Sequence, residues 1–122
     1  MSIESDLVTL LGPLVGGRVA RDVFPQPNGV PEWPAIRFSL IDGQNAETIC
    51  GTDGVDTDDS TYQIDCVDVN GKGADALARS VVDLMDLFPL PTVRTARRAD
   101  PYDPATKTFR VSLDYLIAPS SD

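Results

Sequence analysis

The sequence contains no histidine, which is the residue most often used as a general base and as a metal ligand. It carries 10 lysines and arginines against 19 aspartates and glutamates, a formal net charge of −9. Non-specific binding to nucleic acid is therefore not expected, because phosphates are held by cations. No apolar run has the length of a membrane span. These absences argue against an enzyme, a bound cofactor, a metal site and a membrane partner.

Cysteine is also scarce, with Cys50 and Cys66 alone. A hairpin between residues 46–51 and 61–69 would place Cys50 near Thr61 and far from Cys66, so a disulfide is not expected. Their spacing fits no zinc motif. The acidic N-terminus lacks the basic start of a secretory signal. We expect two reduced, buried thiols in a protein made in a cytosol.

The chain has 122 residues, 42% of them hydrophobic, which predicts one folded domain with a real core. We expect this domain to span residues 1–118. Residues 119–122 are predicted to form a flexible C-terminal tail.

The organising stretch is a strand followed directly by a helix, over residues 60–88. Tyr62, Ile64 and Cys66 alternate with polar residues, which predicts a strand with one buried face. Apolar residues then recur at helical spacing: Leu77, Val81, Leu84, Met85 and Phe88. The helix must bury this stripe, and the apolar face of the strand is the nearest cover.

The remaining elements complete an α+β pattern. A short helix after Ser2 is ended by Gly12 and Pro13, and an extended piece follows. Further strands are predicted at 35–41, 46–51, 92–99 and 109–117. The prediction is a single domain with a mostly antiparallel β-sheet of about five strands and two helices packed on one face.

A proline-rich segment over residues 23–34 precludes a helix or a central strand there. Phe24 and Trp33 flank this segment. Two interpretations stay open: the aromatic rings pack on the edge of the core, or they anchor a partner.

An acidic loop carries Asp53, Asp56, Asp58 and Asp59. Calcium loops also cluster aspartates, but this spacing does not match their motif. The sequence predicts a solvated hairpin loop without a metal.

Arg94, Arg97 and Arg98 form the one basic cluster of the sequence. They either guard an exposed edge strand against aggregation or form half of a charge-complementary interface. The two roles are compatible.

Four stretches together resemble the phage tail completion, or tail terminator, proteins of the small gp17-like kind. They read LVGGRV, DVFPQPNGVPEWPAIRFSLI, STYQIDCVDVNGKGADALARSVVDLMDLF and DPYDPATKTFRVSLDYLI. Their order and spacing carry the resemblance, which runs nearly end to end. The acidic loop around residues 53–59 is a departure from the family pattern.

The resemblance implies a structural protein of the virion, assembled in the cytoplasm of a bacterial host, with no catalytic residues. Such proteins form homo-oligomeric rings, usually hexamers, on the head-proximal end of the tail tube. They end tube polymerisation and meet the head-completion proteins of the neck, and DNA passes through the ring without specific binding. For the interface we propose Asp53, Asp56, Asp58, Asp59, Arg94, Arg97, Arg98 and Trp33.

Three alternatives remain at this stage. In the first, the chain is another neck component, such as a head-tail adaptor or stopper. In the second, it is a stand-alone oligomeric binding module. In the third, it is an enzyme that uses a metal in the aspartate loop or the thiol of Cys66, although no histidine is present to activate that thiol.

Overall fold

The computed structural model describes residues 3–24, 26, 31–43 and 60–118. Helix α1 spans Ile3–Leu11 and continues as a 3-10 helix over Gly12–Val15. The later elements are β1 (Val19–Arg21), β2 (Ala35–Gly43), β3 (Ser60–Asp68), α2 (Gly71–Met85), β4 (Thr92–Asp103) and β5 (Thr108–Ile117). The α+β class, with two α-helices and a mostly antiparallel sheet, is confirmed.

In the described residues, the sheet has five strands in the order β1-β2-β3-β5-β4. The pair β1–β2 is parallel, and the other three neighbouring pairs are antiparallel. The two edges of this sheet differ greatly in length, because β1 has 3 residues and β4 has 12.

Strand β3 is central, and the predicted hairpin between it and residues 46–51 is wrong. One side of β3 pairs with β2, from Ala35 opposite Val67 to Gly43 opposite Ser60. The other side pairs with β5 from Ser60 to Asp68. Both backbone edges of β3 are therefore hydrogen-bonded to these two strands. Residues 46–51 and Cys50 lie outside the described residues, whereas Cys66 is a buried free thiol.

The core lies between the sheet and the two helices. Helix α2 begins after Asn70, whose side-chain oxygen accepts a hydrogen bond from the amide of Gly73 at 2.5 Å. This cap satisfies one of the free amides of the first turn. The apolar side of α2 packs on β3 and β5 and buries Ala74, Leu77, Ala78, Val81 and Met85. Leu7 and Leu11 of α1 join the same core.

Several boundaries differ from the sequence prediction, among them the end of β2, which lies at Gly43 instead of Ile41. Gly12 and Pro13 end the α-helix but continue in a 3-10 turn, which tolerates proline near its start. The extended piece after it contains a real strand, β1, because β2 offers it a partner. Strand β4 continues to Asp103 instead of ending at Ala99, because its long pairing with β5 extends it.

Candidate functional site

Strand β4 forms the long edge of the described sheet, and its three arginines point to two different faces. Arg94 lies opposite Tyr115, and Arg97 lies opposite Leu113, both of which face the helices. Arg98 lies opposite Ser112 and faces away from them. A bulge between Arg94 and Ala96 adds a residue to β4 and brings Arg94 and Arg97 to the same face.

On the helix side, β4 and α2 enclose a groove of about 250 Å³. Ala78 and Val82 of α2 line it together with the side chains of four charged residues: Arg79, Asp83, Arg94 and Arg97. Asp75 accepts from both Arg97 and Arg79, and the second of these ion pairs measures 3.2 Å. One carboxylate thus serves two guanidinium groups. Arg94 forms no ion pair with any described residue.

The opposite face of the sheet holds a buried aspartate. Asp65 of β3 is 1% exposed, and Arg37 of β2 lies directly opposite it. The guanidinium of Arg37 donates to Oδ2 of Asp65 from Nη2 at 2.6 Å and from Nε at 3.0 Å. Ser112 Oγ and Gln63 Nε2 donate to Oδ1 at 2.7 and 2.8 Å. These four hydrogen bonds offset much of the cost of burying the carboxylate.

The polar network continues across this face to β4. Oε1 of Gln63 accepts from Arg98 at 3.2 Å, and Arg98 forms a two-pronged pair with Asp114 at 3.1 and 3.3 Å. The hydrogen bond to Asp114 raises the pKa of Arg98. Arg110 is paired with Asp100 at 2.5 Å. Each of these outer-face arginines therefore has a carboxylate partner, whereas Arg94 in the groove has none among the described residues.

The proline-rich segment lies at one end of the outer face. The rings of Phe24 and Trp33 meet edge to face, with centroids 5.1 Å apart. The guanidinium carbon of Arg37 lies 4.6 Å from the centroid of Phe24. A cleft of about 230 Å³ separates this aromatic pair from the β4–β5 turn, with Arg110 and Val67 among its lining residues. Trp33 is half-buried and packs against Phe24, whereas its role as an anchor for a partner stays a prediction.

The titratable groups of the core do not form a reactive centre. Burial raises the pKa of the Cys66 thiol to about 12. Burial, together with the nearby carboxylate of Glu4, raises the pKa of Tyr62 to about 12 as well. A thiol with a raised pKa is a poor nucleophile because the thiolate is the reactive form.

Within the described ranges, no group of three or more metal-binding side chains comes together. None of the helices described is long and apolar enough to cross a membrane.

Of the predicted interface residues, Arg94, Arg97, Arg98 and Trp33 are placed by the structure, and it does not gather them into one site. Asp53, Asp56, Asp58 and Asp59 lie outside the described residues.

Sequence reasoning missed the partnership of Arg37 and Asp65. Both occupy the polar positions of their strands, so an arginine and an aspartate on the same face of two predicted strands was an available signal. Their adjacency still required the strand order and register.

The whole chain was compared with known families and structures. The profile of the family described as Tail completion protein gp17 matches residues 6–118. Among the solved structures, a chain of the "Virion of native gene transfer agent (GTA) particle" has a similar fold, with a TM-score of 0.58 and 16% identity. The match covers 96% of the present chain and 90% of that chain. No curated protein matches the sequence.

Proposed function

Since the chain belongs to the tail completion protein gp17 family, it is a structural protein of a phage tail or neck, and we propose that it forms a ring that caps the tail tube. In this proposal the ring is a hexamer on the head-proximal end of the tube. It ends tube polymerisation and presents the surface that joins the neck proteins of the head. Assembly takes place in the cytoplasm of the bacterial host. The family match over residues 6–118 is the observation that carries the proposal.

The two unlike edges of the sheet support a ring. A closed ring of identical subunits requires head-to-tail contacts, in which two different surfaces of the subunit meet. Among the described strands, β4 is a long edge with arginines on both faces, whereas β1 is a short edge at the other side of the sheet. We include Arg94, Arg97 and Arg98 in the contacts between subunits.

The acidic composition supports passage of DNA through the ring. Each phosphate that a protein neutralises adds affinity through release of counterions, so a passage that must not retain DNA should avoid clusters of free cations. The net charge of −9 meets this requirement. We place Asp53, Asp56, Asp58 and Asp59 at the rim or the lumen of the ring.

Trp33 is proposed as a contact residue for a neighbouring tail or neck protein. Its ring is held against Phe24, and it borders the cleft on the outer face of the sheet. Tryptophan is enriched among the residues that dominate the energy of interfaces.

The capping function is tested by adding the purified protein to tail-tube protein that is elongating in vitro. We expect the tubes to stop growing and to carry one annular density at an end, seen by negative-stain imaging. A protein that leaves elongation unchanged but joins a head protein would be an adaptor or stopper instead. A strictly monomeric protein that binds no tube would overturn the ring proposal.

The role of the acidic loop is tested by changing Asp53, Asp56, Asp58 and Asp59 together to asparagine. We expect unchanged circular dichroism but altered ring assembly or DNA passage. A variant that assembles and ejects DNA like the parent would remove the loop from the proposal and leave the cap itself intact.

A further inference from the structure

The groove between α2 and β4 carries an excess of one positive charge, because Arg79, Arg94 and Arg97 face only two carboxylates, those of Asp75 and Asp83. Arg79 and Arg97 share the carboxylate of Asp75, and Arg94 has no ion pair in the described part of the chain. The protein as a whole is strongly acidic. One arginine without an ion pair, in a locally positive groove of an acidic protein, favours an anionic partner there.

The groove also has features that suit a polypeptide segment. Its floor includes the apolar side chains of Ala78 and Val82, while arginines line its sides. Along it runs β4, whose outer backbone edge has no strand partner among the described residues. An edge strand offers main-chain hydrogen bonds to an extended segment, and apolar and charged side chains supply the selectivity.

Residues 44–59 have the matching composition. This segment of sixteen residues contains Glu47, Asp53, Asp56, Asp58 and Asp59 and no lysine or arginine. Ile49 and Val55 are among its apolar residues.

The two ends of this segment are fixed by the structure. Gly43 is paired with Ser60, Ser60 with Ile117, and Ile117 with Thr92, so all four lie in one row across the sheet. The segment therefore leaves the sheet three strand spacings, roughly 14 Å, from the start of β4 and returns two spacings, roughly 10 Å, from it. A loop of sixteen residues extends up to roughly 25 Å out and back. It has the length to reach a neighbouring subunit.

We propose that the groove between α2 and β4 binds the acidic segment 44–59 of the next copy of this chain in the ring. The inference rests on the proposed ring and identifies one of its subunit contacts. The contact lies at the rim of the ring, where Arg94 and Arg97 meet the carboxylates, and Asp75 limits its strength by neutralising part of the arginine charge. The occupant is a second copy because a head-to-tail contact joins the groove of one subunit to the segment of another.

A mixing experiment tests the proposal. The groove variant carries Arg94→Glu and Arg97→Glu, and the segment variant carries Asp56→Lys and Asp58→Lys. Each variant alone places like charges together, and we expect its subunit association to weaken about tenfold or more, since each reversed pair changes attraction to repulsion. An equimolar mixture restores attraction at every contact of an alternating ring. We expect native mass spectrometry of the mixture to show rings of parental size with both variants in equal number.

Several outcomes overturn the proposal. If each variant alone forms rings as tightly as the parent, the groove and the segment do not meet in the ring. If both fail alone and the mixture also fails, the segment binds the groove of its own chain, or another contact is involved. Circular dichroism of each variant establishes that it is folded. Asp75→Asn should have the opposite effect on association, because it removes the carboxylate that neutralises Arg79 and Arg97. We expect subunit association to become tighter and more sensitive to salt.

The parent protein separates this inference from the ring proposal. If the parent and both variants each form rings, the cap proposal stands and only the groove contact is removed. A parent that forms no ring, free or on tube ends, overturns both.

Discussion

Two nitrogens of the Arg37 guanidinium donate to one carboxylate oxygen of Asp65, Nη2 at 2.6 Å and Nε at 3.0 Å. The same guanidinium lies 4.6 Å from the ring centroid of Phe24, which in turn meets Trp33. Asp65 is thereby connected, through Arg37 and Phe24, to the indole of Trp33, which is proposed as a contact for a partner protein. The connection joins the centre of the sheet to the proline-rich segment on its outer face.

Replacing Asp65 by asparagine should destabilise the fold markedly. The change leaves the partly buried guanidinium of Arg37 without its counter-charge, and loss of one partner of such a pair costs about 3 kcal/mol. Asp22→Asn is the control, because Asp22 pairs with Arg21 in an exposed position, and we expect it to cost less than about 1 kcal/mol. Urea unfolding followed by circular dichroism measures both. Equal losses in the two variants would contradict the importance given to burial.

Trp33 should report the position of the proline-rich segment directly, because it is the single tryptophan of the chain. In Arg37→Met the hydrocarbon stem is retained, but the contacts with Asp65 and Phe24 lose their charge. We expect the emission of Trp33 to shift to the red and its quenching by acrylamide to rise. Arg98→Met is the matched control, since Arg98 is paired with Asp114 on the same face and makes no contact with Phe24. A change of similar size in the control would show that the effect is not transmitted through Phe24.

The stability of the protein should fall at alkaline pH because of Cys66. Burial raises the pKa of this thiol from 9.0 to about 12, so the unfolded chain releases its proton at a lower pH than the native state. The stabilisation is complete below about pH 9 and is lost as the pH rises toward 12, by about 1.4 kcal/mol for each pH unit. Urea unfolding between pH 8 and pH 11 measures this slope.

The contribution of Cys66 is separated by comparing Cys66→Ala with its parent, both in a Cys50→Ser background. Burial is the main cause of the raised pKa values of Tyr62 and Tyr115 and acts in both proteins, so the difference in slope reports chiefly on the thiol. Identical slopes in the two proteins would show that the thiol does not retain its proton on folding.

Truncating a buried side chain of β5 should lower the stability of the protein strongly. Leu113 is fully buried between the sheet and the helices, and Leu113→Ala should cost about 3 kcal/mol through lost burial and the cavity left behind. Leu87→Ala removes the same atoms from a side chain that is 69% exposed, and we expect it to cost less than about 0.5 kcal/mol. Thermal unfolding ranks the two variants. A small effect at Leu113 would require the core to collapse around the missing atoms.

Periodicity identified the elements whose apolar pattern is long. The alternation from Phe109 to Ile117 predicted β5 and its buried face, and the stripe from Leu77 to Met85 predicted α2. The three-residue strand β1 was too short for a periodic pattern, and its partner β2 defined it. The pairing of β3 was predicted wrongly because the neighbour in sequence was taken as the neighbour in the sheet.

The arginines of β4 also separate what the sequence could predict from what required the structure. Simple alternation would place Arg94 and Arg98 on one face and Arg97 on the other. The bulge at residue 95 instead brings Arg94 to the face of Arg97, where the groove leaves it without a counter-charge. A bulge depends on how two strands fit together, so the sequence of β4 alone does not locate it.

By itself, the sequence determined the class of the fold and the buried sides of β3 and α2. These properties follow from repeats of two or of about 3.6 residues, which backbone geometry imposes locally. Only the tertiary structure decided the order of the described strands, the burial of Asp65 beside Arg37, and the groove on α2 in which Arg94 has no ion pair. Those facts arise from contacts between residues far apart in the chain, and the free energy of such contacts depends on the assembled sheet rather than on any one segment.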